Sequence, residues 1–273
     1  MPDTVTSIGS WAFEYCTSLR SIRIPAGVDT LPTLCLAQNE QLEEVILPEG
    51  LKVIGDSVFA LAKSLKEINL PEGLETIDAS AFATCVSLEE VVIPDTVTTL
   101  GVSAFSGCTG LRSIKLPEGM TILPSDIFSG CTSLTDVLLP NRTKTIGDRA
   151  FKSCYALKEI ELPKKLRTVG EEAFAYCSSL ESITFPHSTR QIKKHAFEGC
   201  SSLMTVIFPD EITSIGVFIF NDCPEDMVIY ANEGTVAAIH CAEDERMIDE
   251  ENLRNWDGSI WEKVGGADGE GDE

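Results

Sequence analysis

The sequence predicts an α/β repeat solenoid of 23-residue coils, with a parallel β-sheet on one side and short helical turns on the other. Nine of the twelve phenylalanines fill one column of the repeat, and eight of the ten cysteines fill another. A fixed period of 20–29 residues is typical of stacked coils that share one core. The period is set by prolines that recur every 23 residues, at Pro2, Pro25, Pro48, Pro71, Pro94, Pro117, Pro140, Pro163, Pro186 and Pro209. We number the coils 1–10 from these prolines.

A β-strand is predicted before each proline. Proline lacks the N–H for a further ladder bond, so we expect each strand to end there. Stacking the coils would join the strands into one long parallel sheet. The apolar residues of this segment alternate in steps of two, as in Ile68 and Leu70, Val91 and Ile93, and Ile160 and Leu162.

A brief extended piece is predicted after the proline turn. In coil 5 its inward aliphatic residues are Val97 and Leu100, three and six residues after Pro94. Glycine often comes next, as at Gly101, and we expect it to permit a turn that other residues resist.

A short helical turn is predicted in the middle of each coil. Its pattern is Ala-Phe followed by cysteine three residues later, as in Ala104, Phe105 and Cys108. Residues three and four apart share one face of a helix, so all three are expected in the core. Stacked cysteines with parallel Cβ vectors about 4.8 Å apart have poor disulfide geometry. We therefore expect them to be reduced.

These residues resemble the BspA-like leucine-rich repeat family, whose pattern is close to IGxxAFxxCxxLxxIxLP. The resemblance spans about residues 2–231, or ten coils, and implies a right-handed leucine-rich-repeat solenoid. Coil 3 departs from the pattern at Ala62, which replaces cysteine. Coil 2 departs most, at Pro32, Cys35, Leu36 and Asn39, which stand for glycine, alanine, phenylalanine and cysteine.

Three regions are predicted along the chain. Residues 2–231 form the BspA-like repeats, residues 232–264 form a C-terminal capping segment, and residues 265–273 form a disordered acidic tail. A cap is expected because the last coil would otherwise expose a sheet edge and apolar core. Its helix is predicted to start at Gly234-Thr235 and to pack on the last coil through Val236, Ile239 and Ala242.

Composition argues against two classes of partner. The net charge is −22, which disfavours nucleic acid and anionic membranes. No apolar run approaches the roughly 20 residues of a membrane span, so membrane insertion is not expected. The start, MPDTVTSIGS, shows no signal peptide. Localisation is therefore unknown from the residues, although the family resemblance suggests a cell-surface or secreted protein.

The sequence shows no set of residues typical of an active site or a metal site. His187, His195 and His240 are not spaced as metal ligands, and the motifs CxxC, GxSxG, GxxxxGK and HExxH do not occur. We predict that the protein is not an enzyme and uses no metal or cofactor.

The outward-facing residues of the predicted strands are the first candidate binding surface. One column is largely acidic: Ser21, Glu44, Glu67, Glu90, Ser113, Asp136, Glu159, Ser182 and Thr205. The next is mixed: Arg23, Ile46, Asn69, Val92, Lys115, Leu138, Glu161, Thr184 and Ile207. Carboxylates beside aliphatic residues suit a protein or peptide with basic residues. The alternative is that the carboxylates only maintain solubility and the aliphatics only favour strands. The candidates chosen from these columns are Glu44, Glu67, Glu90, Val92, Asp136, Leu138, Glu159 and Glu161.

A basic group in coils 7–9 is the second candidate surface. The fourth residue after three successive prolines is Lys144, Arg167 and Arg190, and further cations lie nearby at Arg142, Lys164, Lys165, Lys193 and Lys194. Stacked like charges favour an anionic partner, either an acidic protein segment or a sulfated glycan. The alternative is that Glu161, Glu171 and Glu172 neutralise the group.

The predicted function is that of a non-enzymatic module that binds a macromolecule, a protein or a glycan, through the solvent face of the sheet. The resemblance implies protein–protein interaction or adhesion, since the family is associated with surface display and with host or matrix protein binding. The alternative is a structural spacer or scaffold with no dedicated ligand site. A homodimer is a further prediction, because the uncovered edge of coil 1 is available to pair with a neighbour.

Overall fold

A computed structural model describes residues 1–243 and 253–254. The chain forms a parallel β-solenoid in which equivalent residues of successive coils lie opposite each other. Ser113, for example, pairs with Glu90 on one side and with Asp136 on the other, a shift of 23 residues each time. The predicted repeat and its register are confirmed.

The first sheet is built from the three-residue strands that precede the prolines. Its strands pair in three parallel groups, β1-β3, β6-β8-β10 and β13-β15-β17-β18. They are β1 (Ser21–Arg23), β3 (Glu44–Ile46), β6 (Glu90–Val92), β8 (Ser113–Lys115), β10 (Asp136–Leu138), β13 (Ser182–Thr184), β15 (Thr205–Ile207), β17 (Val228–Tyr230) and the two-residue β18 (Leu253–Arg254).

A second parallel sheet, which the sequence analysis did not predict, runs through the extended pieces that follow the proline turns. Its strands pair as β2-β4-β5-β7 and β9-β11-β12-β14-β16. They are β2 (Thr30–Leu31), β4 (Val53–Ile54), β5 (Thr76–Ile77), β7 (Thr99–Leu100), β9 (Ile122–Leu123), β11 (Thr145–Ile146), β12 (Thr168–Val169), β14 (Gln191–Ile192) and β16 (Ser214–Ile215).

The break in the second sheet has a cause in the sequence. Where the residue after one of these strands is not proline, it donates its N–H to the carbonyl 24 residues earlier, as Gly101 does to Ile77 at 2.8 Å. The first strand, β2, is followed by Pro32. Coil 6 has Pro124 at this position. Because proline has no N–H, it cannot donate to Leu100, and the sheet is interrupted between β7 and β9.

The glycines at this position serve a different purpose from the predicted one. The φ angles of Gly101 and Gly170 lie outside the left-handed region, so neither is needed for an unusual turn. A Cβ atom on Gly170 would instead lie 2.5 Å from the backbone carbon of Gly147. At Gly170 a side chain would therefore collide with the preceding coil, whereas Asp78 and Lys193 occupy the same position in coils 4 and 9.

The predicted strands at Ile68–Leu70 and Ile160–Leu162 are wrong. Residues 66–70 and 158–162 carry no strand, and the first sheet is interrupted there. Ile68 and Leu162 are still buried, so the alternation predicted the inward side chains but not the ladder bonds. Both segments read Leu-Lys-Glu-Ile, and nothing in the structure explains why they remain unpaired. The second sheet is continuous across both places.

The predicted helical turns are also wrong, because the middle of each coil is a run of hydrogen-bonded turns. In coil 4 the N–H groups of Ser80, Phe82 and Thr84 donate to carbonyls of coil 5, at 2.7–3.0 Å. Bonds between coils thus replace the bonds to residue i−4 that a helix would make. Ser80 and Thr84 have φ angles of 53° and 61°, which also interrupt a right-handed helix. The same two positions have positive φ in every coil.

The phenylalanine and cysteine columns stack in the core as predicted. The rings of Phe59, Phe82 and Phe105 lie 5.2 Å apart, centroid to centroid. The thiol of Cys108 donates to the carbonyl of Phe82 in the preceding coil at 3.1 Å, and the same bond recurs from Cys85 to Cys223. All the cysteines of the column are free thiols, and Cys16, in coil 1, is exposed.

The C-terminal helix α1 (Val236–Glu243) begins near the predicted position. Thr235 Oγ1 accepts a hydrogen bond from the N–H of Ala238 at 3.3 Å, as an N-cap does. Two of the predicted packing residues, Val236 and Ile239, are wrong, because both are exposed and the buried residues are Ala237, Ala238 and Cys241. The third, Ala242, lies outside the residues whose side chains the structure describes. The predicted extent of the cap and the acidic tail stay predictions, since the tail lies outside the described residues.

Candidate binding surfaces

The face of the first sheet presents two ladders of exposed side chains. In β6 and β8, Glu90 pairs with Ser113 and Val92 pairs with Lys115. Val91, between Glu90 and Val92, is buried. The pleat of each strand therefore directs the first and third residues outward, and stacking places them in adjacent columns.

Three aliphatic residues of this face are well exposed. Ile46, Val92 and Leu138 expose 49%, 54% and 76% of their surface. Each ends a strand that begins with a carboxylate, namely Glu44, Glu90 or Asp136. Apolar and acidic side chains thus lie side by side in three separate coils.

The carboxylates of this face are available for a partner. The exposed acidic residues predicted as candidates form no ion pair with any of the residues that the structure describes: Glu44, Glu67, Glu90, Asp136, Glu159 and Glu161. Asp136 does accept a hydrogen bond from Thr135 Oγ1 at 2.6 Å. Lysines and arginines elsewhere on the face pair with other carboxylates, as Lys115 does with Asp95.

A shallow depression lies where the first sheet is interrupted between coils 2 and 3. Its volume is about 410 Å³. It is lined by β3 and by the segment around Glu67 to Pro71, and four glutamates surround it: Glu43, Glu44, Glu49 and Glu67. Sequence reasoning missed this depression, because the interruption that forms it has no signal in the repeat pattern.

Some residues of the predicted outward columns do not lie in strands, and one of them is not exposed. Glu67, Glu159 and Glu161 are exposed but lie in the two interrupted segments, not in strands. Ile207, the last residue of β15, is buried although it was predicted to point outward. Its register neighbours are Thr184 and Tyr230.

The structure stacks Lys144, Arg167 and Arg190 as predicted. The N–H of Arg167 donates to the carbonyl of Lys144 at 2.8 Å, and the N–H of Arg190 donates to the carbonyl of Arg167 at 2.9 Å. All three side chains are exposed. They lie beside the second sheet, immediately before β11, β12 and β14, and so form a surface distinct from the first sheet.

The cations near this ladder divide into two groups. Lys193 pairs with Asp148 at 3.0 Å and Lys194 pairs with Glu171 at 2.9 Å. Partial burial raises the pKa of Asp148, but hydrogen bonds from Lys193 and from a backbone N–H outweigh it and the pKa is lowered. The other group, Arg142, Lys144, Lys164, Lys165, Arg167 and Arg190, has no ion pair within residues 1–243.

Glu172 pairs with Lys152, which does not belong to the stack of Lys144, Arg167 and Arg190. A hydrogen bond from the Lys152 ammonium lowers the pKa of the Glu172 carboxyl, and the charges of Lys152 and Arg149 lower it further. Neither Glu172 nor Glu161 is therefore a partner of Lys144, Arg167 or Arg190.

Metal-binding clusters and membrane-spanning helices are both absent from the described part of the chain. It contains no group of three or more His, Cys, Asp or Glu side chains placed to hold a metal ion. It also has no helix with the length and apolar character needed to span a bilayer.

Comparison with known families identifies the repeat. The model of the BspA type leucine-rich repeat region, in six copies, matches residues 1–112 and 98–225. The chain belongs to the BspA-type leucine-rich repeat family. No curated protein matches the sequence significantly.

Several solved structures of bacterial leucine-rich repeat proteins resemble this member of the family. A leucine-rich cell surface protein of Faecalibacterium prausnitzii A2-165 is 26% identical, with a TM-score of 0.54, over 88% of this chain and 79% of that one. The pneumococcal vaccine antigen PcpA is 25% identical, with a TM-score of 0.56, over 85% of this chain and 69% of PcpA. The T. pallidum leucine-rich repeat protein TpLRR is 29% identical, with a TM-score of 0.53, over 57% of this chain and 76% of TpLRR.

The first coil exposes more apolar surface than the coils behind it. Trp11 and Tyr15 are exposed, and Phe13 is only partly buried although its column is otherwise buried. A homodimer through this coil stays a prediction.

Proposed function

We propose that this protein is a non-enzymatic module that binds a protein partner through the exposed face of the first sheet. The observation that carries the proposal is the repeated pairing of an exposed carboxylate with an exposed aliphatic residue, at Glu44 and Ile46 and again at Glu90 and Val92. Asp136 and Leu138 repeat the pair in coil 6, and Leu138 is 76% exposed.

The chemistry of this face suits a partner with a basic rim. Apolar side chains at the centre of an interface supply affinity once water is excluded, whereas charges around them direct association and exclude wrong partners. The unpaired carboxylates need not break an internal ion pair in order to meet a cation. The rigid stacking of the coils holds these groups in place before binding, which reduces the entropy lost on association.

The family supports the same role. Repeat solenoids characteristically bind along extended surfaces. One solved relative is described as a cell surface protein and another as a vaccine antigen. We propose that this chain also acts at a cell surface, in protein binding or adhesion.

The test compares two matched pairs of substitutions in the full chain. Ile46→Arg with Val92→Arg alters the sheet face, and Val102→Arg with Val217→Arg alters the turn side. Val102 and Val217 are 49% and 54% exposed, close to Ile46 and Val92, so the control adds the same charge at similarly exposed positions. The wild type is first screened against purified soluble proteins that carry basic surface patches, and binders are measured by calorimetry.

We expect the sheet-face pair to weaken binding at least about tenfold, because loss of central interface side chains typically costs more than 1 kcal/mol each. The turn-side pair should change affinity by less than about twofold. Glu67→Lys with Glu90→Lys should slow association and reduce its salt dependence. Equal effects of the two arginine pairs on every binder, or no binder at micromolar concentration, would favour the alternative of a structural spacer.

A further inference from the structure

The proline turns of coils 7–9 carry an unusual concentration of positive charge. The four residues after Pro140, Pro163 and Pro186 read NRTK, KKLR and HSTR. They contain six lysines and arginines and no carboxylate. The equivalent turns of coils 1–6 and of coil 10 read DTVT, AGVD, EGLK, EGLE, DTVT, EGMT and DEIT, and none has a net positive charge. The sign of the charge is therefore reversed in three adjacent coils of a strongly acidic protein.

Stacking brings these cations into one surface, which we call the basic ladder: Arg142, Lys144, Lys164, Lys165, Arg167 and Arg190. Direct backbone hydrogen bonds join Lys144 to Arg167 and Arg167 to Arg190. Coils in a parallel sheet are about 4.8 Å apart, so the three positions span about 10 Å. All six side chains are exposed.

None of the six cations of the basic ladder forms an ion pair with a carboxylate within residues 1–243. In coils 3 and 4 the same column pairs Lys52 with Glu75 at 3.0 Å, but no such alternation of sign occurs here. In the next turn Glu211 contacts His187 and Asp210 accepts from Asn232. Burial raises the pKa of Glu211, but its hydrogen bond with His187 outweighs this, and the charges of His187 and Arg190 lower the pKa further. Arg190 donates from one guanidinium nitrogen to the carbonyls of His187 and Thr189, at 2.6 and 2.9 Å, which fixes its position.

The surroundings of the basic ladder favour a polysaccharide over a folded protein. A protein interface has an apolar core with aromatic residues. In the three turns the aliphatic residue, Leu166, is buried, as are Thr143 and Thr189, and the exposed side chains are all polar or charged. A linear, heavily hydrated polyanion needs no apolar contact. Its sulfate groups match the planar donor array of arginine.

We propose that the basic ladder is a binding site for a sulfated polysaccharide chain. It is independent of the protein-binding role proposed for the first sheet, because it lies on the turns between the two sheets and uses none of the same residues. Binding is electrostatic, so it weakens steeply as salt concentration rises.

The experiment measures binding of size-defined heparin fragments to the full chain at several salt concentrations. Hyaluronan, which carries carboxylates without sulfate, and a polyglutamate peptide serve as comparison ligands. The test variant is Lys144→Gln with Arg167→Gln and Arg190→Gln. The control is Arg20→Gln with Lys52→Gln and Lys63→Gln, which removes the same charge from exposed cations that pair with carboxylates elsewhere.

We expect heparin to bind the wild type at low salt and the test variant to bind about tenfold more weakly, with a shallower salt dependence. The control variant should change affinity by less than about twofold. The proposal is overturned if the wild type does not bind heparin, or if both variants weaken it equally. Equal or tighter binding of hyaluronan would show that sulfate is not recognised. Equal or tighter binding of polyglutamate would assign the site to an acidic protein segment instead.

Discussion

Asn39 donates a hydrogen bond to the carbonyl of Leu36, which a cysteine at position 62 would otherwise bond. Ala62 occupies that position, one coil further along the chain, and has no side-chain donor. In coils 4–10 the cysteine thiol donates to the carbonyl 26 residues earlier, at 3.1–3.2 Å. Ala62 leaves the carbonyl of Leu36 without this donor. Asn39 Nδ2 donates to the carbonyls of both Leu36 and Phe13, each at 2.9 Å. The two departures from the repeat therefore compensate for each other.

This compensation predicts coupling between the two positions. Ala62→Cys in the wild type adds a donor to a carbonyl that is already bonded, so it should gain little. In an Asn39→Cys background the Leu36 carbonyl lacks a donor, and Ala62→Cys should then restore about 1 kcal/mol. Thermal or urea unfolding of the four proteins measures the coupling.

Asn39→Cys alone is a poor test, because it also removes Oδ1, a buried oxygen without a hydrogen-bond partner. Removing this unsatisfied oxygen is favourable, so it offsets part of the cost of losing the hydrogen bonds that Asn39 Nδ2 donates. Zero coupling between the two substitutions would show that Asn39 does not stand in for the missing thiol.

The cysteine column predicts a clear pattern of thiol reactivity. Burial raises the pKa values of Cys35, Cys177 and Cys223 to about 12, and it also raises those of Cys85, Cys131, Cys154 and Cys200. Thiolates are the reactive form, so these cysteines should react slowly with a disulfide reagent at pH 8. Cys16 is exposed and should react quickly. All ten thiols should titrate in denaturant. Disulfides that persist in denatured, unreduced protein would contradict this account.

The Lys152–Glu172 pair predicts a dependence of stability on pH. The pKa of Glu172 is lowered in the folded protein, so its contribution is fully present above the ordinary value of 4.5 and is lost as pH falls through the lowered value. Because both side chains are partly exposed, we expect Glu172→Gln to cost about 0.5–1 kcal/mol at pH 7. The cost should shrink as the pH falls below 4.5 and vanish below the lowered pKa. Glu159→Gln removes an exposed carboxylate that has no ion pair among residues 1–243, and as the control it should cost less than Glu172→Gln at pH 7.

The sequence predicted the columns of the repeat but not the backbone structure of the turn side. Residues three and four apart share a face in a helix and also in stacked turns, so Ala104, Phe105 and Cys108 are buried in either case. Only hydrogen bonds between coils distinguish the two structures, and these join residues 22 positions apart. One signal was available, since Gly107, Gly130 and Gly199 share a column in which all have positive φ.

The candidate surfaces were predicted in part for a similar reason. Alternation along a strand is a local property, so it predicted the exposure of Glu90 and Val92. Ion pairing depends on side chains one or two coils away, 23 residues for Arg149 and Asp126 and 45 residues for Lys193 and Asp148. The repeat pattern carries little of that information. Sequence alone could not show that Lys193 pairs with Asp148 whereas Lys144 has no carboxylate partner among residues 1–243.

Both candidate binding surfaces depend on direct stacking of the coils. Two glycines of one repeat column, Gly9 and Gly170, provide a test of this stacking. A Cβ on Gly170 would lie 2.5–2.6 Å from backbone atoms of Gly147 and Asp148, closer than real Cβ contacts. A Cβ on Gly9, in coil 1, would meet nothing within 4 Å. Neither glycine has a positive φ, so backbone strain does not distinguish them.

The most direct measurement is the difference in unfolding free energy between Gly170→Ala and Gly9→Ala. Stacked coils predict that Gly170→Ala destabilises the protein by about 2 kcal/mol or more, because the backbones must move apart. Gly9→Ala should be neutral or slightly stabilising, since alanine restricts the unfolded chain. Equal effects of the two substitutions would contradict the stacking, and with it the ladders on which both proposed binding surfaces rest.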